Sequence, residues 1–241
     1  MRVLLLGGTA EGRALAAHLH PDVDVVSSLA GRVPDPALPV GEVRVGGFGG
    51  VDGLAAYLSE HRVDAVVDAT HPFAATITAH AASACRRLGV PSVVLARPAW
   101  PHGRAIVVGS DAQAADVVAA QAFSRVFLTT GRSGTAAFSA SNAWFLIRAV
   151  TAPDGHTLPP RHQLVLSRGP YRYDDELRLL RDHDIDALVT KNSGGDMTRA
   201  KLDAAEALGV AVVMVDRPAL PDGVDTVTTV DDAVEWVRAR G

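Results

Sequence analysis

Leu4-Leu-Leu-Gly-Gly-Thr-Ala-Glu-Gly-Arg13 is an apolar run that passes directly into a glycine turn and a helical pattern. The first and last positions of a G-x-G-x-x-G pattern are glycines, and Thr9 stands at the middle one, where its hydroxyl can donate to a phosphate. Such a turn lets the backbone approach a pyrophosphate and aims a helix N-terminus at it. A tight βα turn without a ligand is the alternative. The residues of this predicted phosphate-binding turn are Gly7, Gly8, Thr9, Glu11 and Gly12.

The apolar runs after this turn are continuous rather than alternating. Continuous runs are typical of strands buried on both faces of a parallel sheet, and helical patterns lie between them. The predicted fold class is therefore α/β, with Rossmann-like, doubly wound parallel sheets. In the first 97 residues the predicted strands are 3–6, 23–28, 43–45, 65–69 and 92–96, and the predicted helices are 11–19, 54–61 and 73–88.

An internal repeat relates the two halves of the chain. The segment 88–101 aligns without gaps on 208–221 with eight identities in fourteen positions, which is an offset of 120. Chance similarity between two α/β segments is the alternative to duplication. We predict two Rossmann-like halves related by duplication, residues 1–122 and 123–241, with a shared cleft at the carboxyl ends of their sheets. An exchange of terminal elements between the halves stays open at this stage.

The end of the second predicted strand indicates which dinucleotide the first half binds. A protein that binds NAD usually carries an acid there for the ribose hydroxyls. This chain has Ser27-Ser-Leu-Ala-Gly-Arg32 instead. A hydroxyl at Ser28 and a guanidinium at Arg32 suit a 2′-phosphate, which an acid would repel. The sequence thus favours NADP over NAD. For Arg32 taken alone, a solvent-exposed loop arginine is the alternative.

Two further strand ends carry candidate site residues. Asp68-Ala-Thr-His-Pro-Phe-Ala74 places Thr70 and His71 after the fourth strand, where His71 can bind cofactor or substrate, pass a proton, or only cap a helix. Thr190-Lys-Asn-Ser-Gly-Gly-Asp196 occupies the equivalent place in the second half. Polar donors and glycines before a helix make a second anion or cofactor site. Its candidate cofactor-binding residues are Asn192, Ser193 and Gly194.

Composition excludes several classes of function. The chain has 241 residues, of which 48% are hydrophobic, and a formal net charge of −4, which gives no global attraction for nucleic acid. The one cysteine, Cys85, cannot form an internal disulfide, and no Cys/His cluster has zinc spacing, so no metal is expected. No apolar run approaches the length of a membrane span, and no secretory signal is present, so we expect a cytoplasmic protein. Redox chemistry must then come from a bound cofactor.

Together these segments resemble the precorrin-6A reductase family of cobalamin biosynthesis, which includes cobalt-precorrin-6A reductases. The resemblance implies hydride transfer from NADPH to a double bond of a tetrapyrrole macrocycle. The alternatives are a two-lobed NADP- or tetrapyrrole-binding protein without turnover, and a methyltransferase or synthase of the same pathway. The motifs that carry the resemblance are Leu6-Gly-Gly-Thr-Ala-Glu-Gly-Arg13, Asp68-Ala-Thr-His-Pro-Phe-Ala74, Thr129-Thr-Gly131, Arg168-Gly-Pro170, Lys191-Asn-Ser-Gly-Gly195 and Val213-Met-Val-Asp-Arg-Pro218.

A polycarboxylate macrocycle needs several cations, and the chain offers them at strand ends and turns. No general acid is evident, so we assign no catalytic residue and keep His71 and Lys191 as candidates. A monomer, or transient contact with neighbouring pathway enzymes, is expected. The predicted substrate-binding residues are Arg132, Arg168, Lys191, Lys201 and Arg217, with Arg97 also available.

Overall fold

The computed structural model describes residues 1–31 and 37–241. These residues form two compact units: Met1–Pro98 with Pro218–Gly241, which we call unit 1, and Ala99–Arg217, which we call unit 2. Each unit holds a six-stranded sheet, and every strand pairing in both sheets is parallel. The predicted α/β fold class is confirmed. None of the described helices combines the length and apolar character that crossing a membrane requires.

The elements follow one another as strand and helix along most of the chain, as the apolar runs predict. In chain order they are β1 (Arg2–Leu6), α1 (Ala10–Leu19), β2 (Asp24–Leu29), β3 (Glu42–Val45), α2 (Gly50–Glu60), β4 (Ala65–Asp68), α3 (Ala75–Leu88), β5 (Ser92–Leu95), β6 (Ile106–Val108), α4 (Asp111–Ala120), β7 (Arg125–Leu128), a 3-10 helix (Thr135–Phe138), β8 (Trp144–Ala149), a 3-10 helix (Gly155–Thr157), β9 (His162–Leu166), α5 (Tyr173–Asp182), β10 (Ala187–Lys191), α6 (Ala200–Leu208), β11 (Ala211–Val215), β12 (Asp225–Val227) and α7 (Val230–Arg238).

The two sheets have the same topology. The strand order is β12-β5-β4-β1-β2-β3 in unit 1 and β6-β11-β10-β7-β8-β9 in unit 2, so each strand of one sheet has a counterpart in the other. The connections also match in detail: Gly89 and Gly209, 120 residues apart, both end their helices in the left-handed conformation, with φ of 68° and 67°. Both features are what a duplicated chain predicts.

The predicted boundary between residues 122 and 123 differs from the division in the structure. The strand β12 pairs with β5 in unit 1, and β6 pairs with β11 in unit 2. These two strands are counterparts in the repeat, so each half gives its terminal strand to the sheet of the other. The division into two units follows the hydrogen bonds of the edge strands β6 and β12, and not the order of the strands in the sequence. The exchange left open by the sequence is therefore present.

Continuous apolar strands are explained by helices on both faces of the sheet in unit 1. Val3 and Leu5 pack into the cluster that includes residues of α1 and α7, whereas Leu4 and Leu6 pack into the cluster that includes residues of α2 and α3. All four side chains are 0–1% exposed. Truncating one of the three leucines to alanine should cost about 2–5 kcal/mol of stability.

Two predicted helix starts are wrong. The helix α2 begins at Gly50 rather than at residue 54. The helix α3 begins at Ala75 rather than at residue 73. The residues before it form a turn, in which the amides of Phe73 and Ala74 donate to Nδ1 and the carbonyl oxygen of His71, at 3.3 and 2.7 Å. These bonds give the backbone an alternative to the first helical turn. His71 therefore lies in a turn ahead of the helix and does not cap it.

Candidate functional site

The glycine turn of unit 1 is held in place by Thr9. Its Oγ1 accepts from the amide of Gly12 at 3.0 Å, which caps α1, and donates to the carbonyl of Ala69 at 2.7 Å. The hydroxyl hydrogen is thus already committed, so the expectation that it donates to a phosphate is not met in this conformation. The amides of Ala10 and Glu11 open the helix and have no acceptor within it. They are the donors that α1 offers to an anion.

Two glycines of the turn, Gly8 and Gly12, differ in their surroundings. Gly8 is exposed, has φ of +111°, and a Cβ placed there would meet no atom within 4 Å. Gly12 is buried, and a Cβ there would lie 3.5 Å from both the Cβ of Ala69 and the Cα of Gly7. The open position at Gly8 lets a ligand reach the backbone, whereas a Cβ at Gly12 would be in ordinary van der Waals contact with the turn.

Glu11 forms an ion pair with Arg97. Its Oε2 lies 2.7 Å from Nη1 of Arg97, and both side chains are largely buried, at 27% and 16% exposure. Glu11 follows β1 and Arg97 follows β5, so the pair spans the carboxyl edge of the sheet in unit 1. Glu11 therefore orients Arg97 beside the glycine turn, in addition to any contact with a cofactor.

The predicted ribose site contains an arginine that the sequence interpretation missed. Ser28, 7% exposed, lies beside Arg44 in the register of β2 and β3, and Nη1 of Arg44 donates to its Oγ at 2.8 Å. The guanidinium also lies over the ring of Phe48, 3.8 Å from its centroid. The other predicted residue of this site, Arg32, lies outside the described residues.

The turn after β4 is organised by a buried carboxylate. Asp68, 3% exposed, accepts from the amide and the hydroxyl of Thr70 at 2.9 and 2.6 Å, and from the hydroxyl of Thr78 at 2.6 Å. The hydroxyl of Thr70 is therefore turned toward the protein. His71 is exposed, and its Nδ1 accepts from the amide of Phe73. Nε2 then carries the proton in neutral His71.

The second predicted cofactor turn, in unit 2, is tied to Trp100. Asn192 is fully buried, and its side-chain amide exchanges two hydrogen bonds with the backbone of Trp100, at 2.9 and 3.1 Å. The Trp100 indole donates to the carbonyl of Gly195 at 2.9 Å. The side chain of Asn192 thus holds the turn in shape, which leaves Ser193 and Gly194 as the residues of this turn that are predicted to contact a ligand. Both remain predictions.

Lys191 is an ion-pair partner within unit 2. Its ammonium lies 3.1 Å from Oδ2 of Asp111 and donates to the carbonyl of Thr130 at 3.1 Å, and the side chain is 15% exposed. Lys191 thus joins the end of β10 to the start of α4 and to the turn after β7. Its predicted roles in substrate binding and proton transfer remain predictions, and Asp111 is a neighbour that the sequence did not indicate.

Lys201 is buried, at 4% exposure. Its ammonium donates to the carbonyl of Thr198 at 2.9 Å and lies 4.9 Å from the centroid of the Trp100 ring. Burial, together with the positive charge of Arg148, lowers the pKa of Lys201 to about 7, against the opposite effect of Glu176. Lys201 thus supports the loop before α6, and its predicted role in substrate binding remains a prediction.

The remaining predicted cations are Arg132, Arg168 and Arg217. Arg132 and Arg168 are exposed. Arg217 is half-buried, and its Nε donates to the carbonyl of Asn192 at 2.8 Å. Arg97 and Arg217 are counterparts in the repeat, so each half braces a strand-end turn with the arginine that follows its fifth strand. Their contact with substrate carboxylates remains a prediction.

The thiol of Cys85 offers no redox chemistry. The side chain is buried, and burial raises its pKa to about 11, against the opposite effect of a hydrogen bond from Ser92. A thiol of this kind is inert because the thiolate is the reactive form.

Two parallel sheets of this strand order, with a glycine turn and a capped helix after the first strand of unit 1, define a Rossmann-like α/β protein. A family model described as "Precorrin-6x reductase CbiJ/CobK" matches residues 2–238. The chain belongs to this family, which confirms the resemblance of its motifs.

Individual relatives agree with this family assignment. The chain is 71% identical over 236 residues to the precorrin-6A reductase of Mycobacterium tuberculosis (strain CDC 1551 / Oshkosh), covering 98% of this chain and 97% of the relative. It is 55% identical over 246 residues to that of Rhodococcus erythropolis, covering 98% and 97%. A solved structure of "CobK precorrin-6A reductase" superposes with a TM-score of 0.93 at 39% identity, covering 100% of this chain and 97% of that one.

Proposed function

We propose that the chain is an NADPH-dependent precorrin-6A reductase, which reduces one double bond of the macrocycle to give precorrin-6B in cobalamin biosynthesis. Membership of the reductase family carries this proposal. The metal-free substrate is proposed because the relatives at 71% and 55% identity are named for precorrin-6A.

The carboxyl edge of unit 1 suits a dinucleotide. The exposed position of Gly8 and the two uncapped amides at the start of α1 support contact with a pyrophosphate. Ser28, without an acid at the end of β2, supports a phosphorylated ribose. NADPH, when bound, supplies the hydride, and the protein orients the cofactor. The residues proposed to hold it are Gly7, Gly8, Thr9, Glu11, Gly12, Ser28, Arg32, Thr70, His71, Asn192, Ser193 and Gly194, of which Thr9, Thr70 and Asn192 act through the backbone they brace.

The substrate is a polycarboxylate, so its recognition needs cations with accessible donors. Arg132 and Arg168 are exposed and meet this requirement best. Arg97 and Arg217 are oriented by Glu11 and by the Asn192 carbonyl, so their guanidinium groups are held at defined strand ends.

The proton that accompanies hydride transfer has two candidate donors in the chain. His71 is exposed and has its proton on Nε2 when it is neutral. Lys191 is 15% exposed, and Asp111 and the Thr130 carbonyl hold its ammonium in place. We therefore propose His71 as the group that holds the proton. We also propose that the protein acts in the cytoplasm, as a monomer or in transient contact with other pathway enzymes.

Turnover with defined substrates tests the proposal. The purified protein is incubated with precorrin-6A or its cobalt complex, and with NADPH or NADH, and consumption of the reduced nicotinamide is followed. We expect consumption that depends on the macrocycle, is fastest with NADPH and metal-free substrate, and yields precorrin-6B. Tight binding of NADPH or macrocycle without consumption would identify a two-lobed binding protein instead.

A further inference from the structure

We infer that Arg44, oriented by Ser28, is the residue that recognises the 2′-phosphate of the dinucleotide and sets its preference for NADPH over NADH. The inference rests on the proposed dinucleotide site of unit 1. It names a specificity-determining residue on β3 that lies twelve positions beyond the predicted Arg32.

The guanidinium of Arg44 is held rigidly at the carboxyl ends of β2 and β3. Nη1 donates to Oγ of Ser28 and to the carbonyl of Gly46, at 2.8 and 3.0 Å, and Nη2 donates to the carbonyl of Gly47 at 3.2 Å. Phe48 lies under the guanidinium, 3.8 Å away at the ring centroid, and the Tyr57 ring lies at 5.1 Å. A cation fixed in this way loses little side-chain entropy when it binds an anion.

The charge of Arg44 is not neutralised by the described part of the protein. Its three hydrogen-bond acceptors are a hydroxyl and two carbonyls, and within residues 1–31 and 37–241 no carboxylate lies within 4 Å of it. A guanidinium carries five N–H groups, so two remain for a ligand. A phosphate monoester accepts two such bonds as a bidentate pair and brings a negative charge to the guanidinium.

Unit 2 provides an internal comparison for this pair. In unit 1, Ser28 of β2 pairs in register with Leu6, the last residue of β1, on one side and with Arg44 of β3 on the other. In unit 2, Ile147 of β8 pairs in register with Leu128, the last residue of β7, on one side and with Leu164 of β9 on the other. The same two register positions are therefore polar and charged in the unit with the glycine turn and the capped helix, and apolar in the other. The fold itself therefore does not require an arginine at this position.

Dissociation constants for four ligands test the inference: NADPH, NADH, adenosine 2′,5′-bisphosphate and 5′-AMP. They are measured by calorimetry on the full chain and on Arg44→Gln, Arg32→Ala and Arg87→Gln. Arg87 is the matched control, because it is an exposed arginine of unit 1 paired with Asp52. We expect Arg44→Gln to weaken NADPH and the 2′,5′-bisphosphate about ten- to a hundredfold, with NADH and 5′-AMP changed less than about twofold. Arg87→Gln should change none of the four.

The ratio of NADPH to NADH affinity shows whether Arg44 recognises the 2′-phosphate or only stabilises the local structure. Equal weakening of NADPH and NADH by Arg44→Gln would show that Arg44 only holds the Gly46–Gly47 loop, and would overturn the inference. Loss of the preference in Arg32→Ala with Arg44→Gln unchanged would also overturn it. Binding that depends on Arg44 without macrocycle reduction would refute only the proposed reductase function. Turnover with an NADPH preference that is independent of Arg44 would refute only this inference.

Discussion

The two units share one strand order, but different helices follow the counterpart strands β1 and β7. After β1 comes the ten-residue helix α1, capped by the Thr9 side chain, whereas after β7 comes a 3-10 helix of four residues, Thr135–Phe138, without a side-chain cap. A short 3-10 segment offers little aligned dipole to an anion. The turn Thr129–Gly134 thus mirrors the glycine turn in place but not in its capacity to bind a pyrophosphate.

Charged residues are also used differently in the two units. At the carboxyl ends of β2 and β3, unit 1 keeps the Arg44 cation without a carboxylate partner among the described residues. Unit 2 buries Arg148 at the end of β8 and pairs it with Glu176 through two bonds, at 2.5 and 2.9 Å. A duplicated fold has therefore kept a ligand-ready cation in one copy and an internal ion pair in the other.

Breaking the internal pair of unit 2 should have the largest effect. Arg148 and Glu176 are 5% and 2% exposed, and Arg148 also lies 3.6 Å from the centroid of the Tyr171 ring. Arg148→Met leaves a buried carboxylate without its partner, which should cost about 3–5 kcal/mol in the free energy of unfolding in urea. Arg148→Met with Glu176→Leu should recover most of this loss. A cost below about 1 kcal/mol, the value expected for the exposed pair Arg87–Asp52, would refute the structural role.

Closing the open position of the glycine turn should remove cofactor binding. Gly8→Val adds a branched side chain where the backbone meets the pyrophosphate, at a φ of +111° that valine adopts only with strain. We expect NADPH affinity to fall about a hundredfold or more, with cooperative unfolding retained. Gly223→Val is the control, since Gly223 has φ of +71° and open space in the turn before β12. Equal affinity in both variants would count against the turn as the phosphate site.

Lys191 tests whether unit 2 contributes to turnover. Lys191→Ala should lower kcat/KM for the macrocycle about tenfold and leave the NADPH dissociation constant within about twofold. Lys191→Arg should restore only part, because a planar fork cannot replace a compact ammonium between Asp111 and the Thr130 carbonyl. If kcat/KM recovers in the double variant Lys191→Ala, Asp111→Ala, the lysine serves only to neutralise Asp111. Unchanged kinetic constants in Lys191→Ala would remove it from the site.

Local sequence signals predicted the strands, the glycine turn and the repeat because each depends on neighbouring residues. Arg44 was missed because its pairing with Ser28 depends on the register of two strands separated by a loop. The cationic character of the short strand β3 was the only available signal. The contacts of Asn192 and Lys201 with Trp100 could not be predicted, because Trp100 lies about a hundred residues away in sequence. The exchange of β6 and β12 likewise depends on edge pairing between distant segments.

Burial of Lys201 predicts a pH dependence of stability. Its pKa is about 7 in the folded chain, against 10.5 for a lysine in water, so the unfolded chain binds more protons between these values. Stability should therefore rise from pH 7 toward pH 10, by about 1 kcal/mol per pH unit, and level off at its lower value below pH 7. Lys201→Met should abolish this slope, and Arg199→Met, an exposed neighbour paired with Asp203, should keep it. A slope that persists in Lys201→Met would assign it to another group.

The crystal structure of the NADPH complex tests most directly that the glycine turn of unit 1 binds the pyrophosphate and that Arg44 binds the 2′-phosphate. We expect pyrophosphate oxygens about 3 Å from the amides that open α1, and the 2′-phosphate within the same distance of Arg44. A pyrophosphate more than about 6 Å from Gly7–Gly12, two hydrogen-bond lengths, or one bound at the Thr129–Gly134 turn of unit 2, would contradict this account.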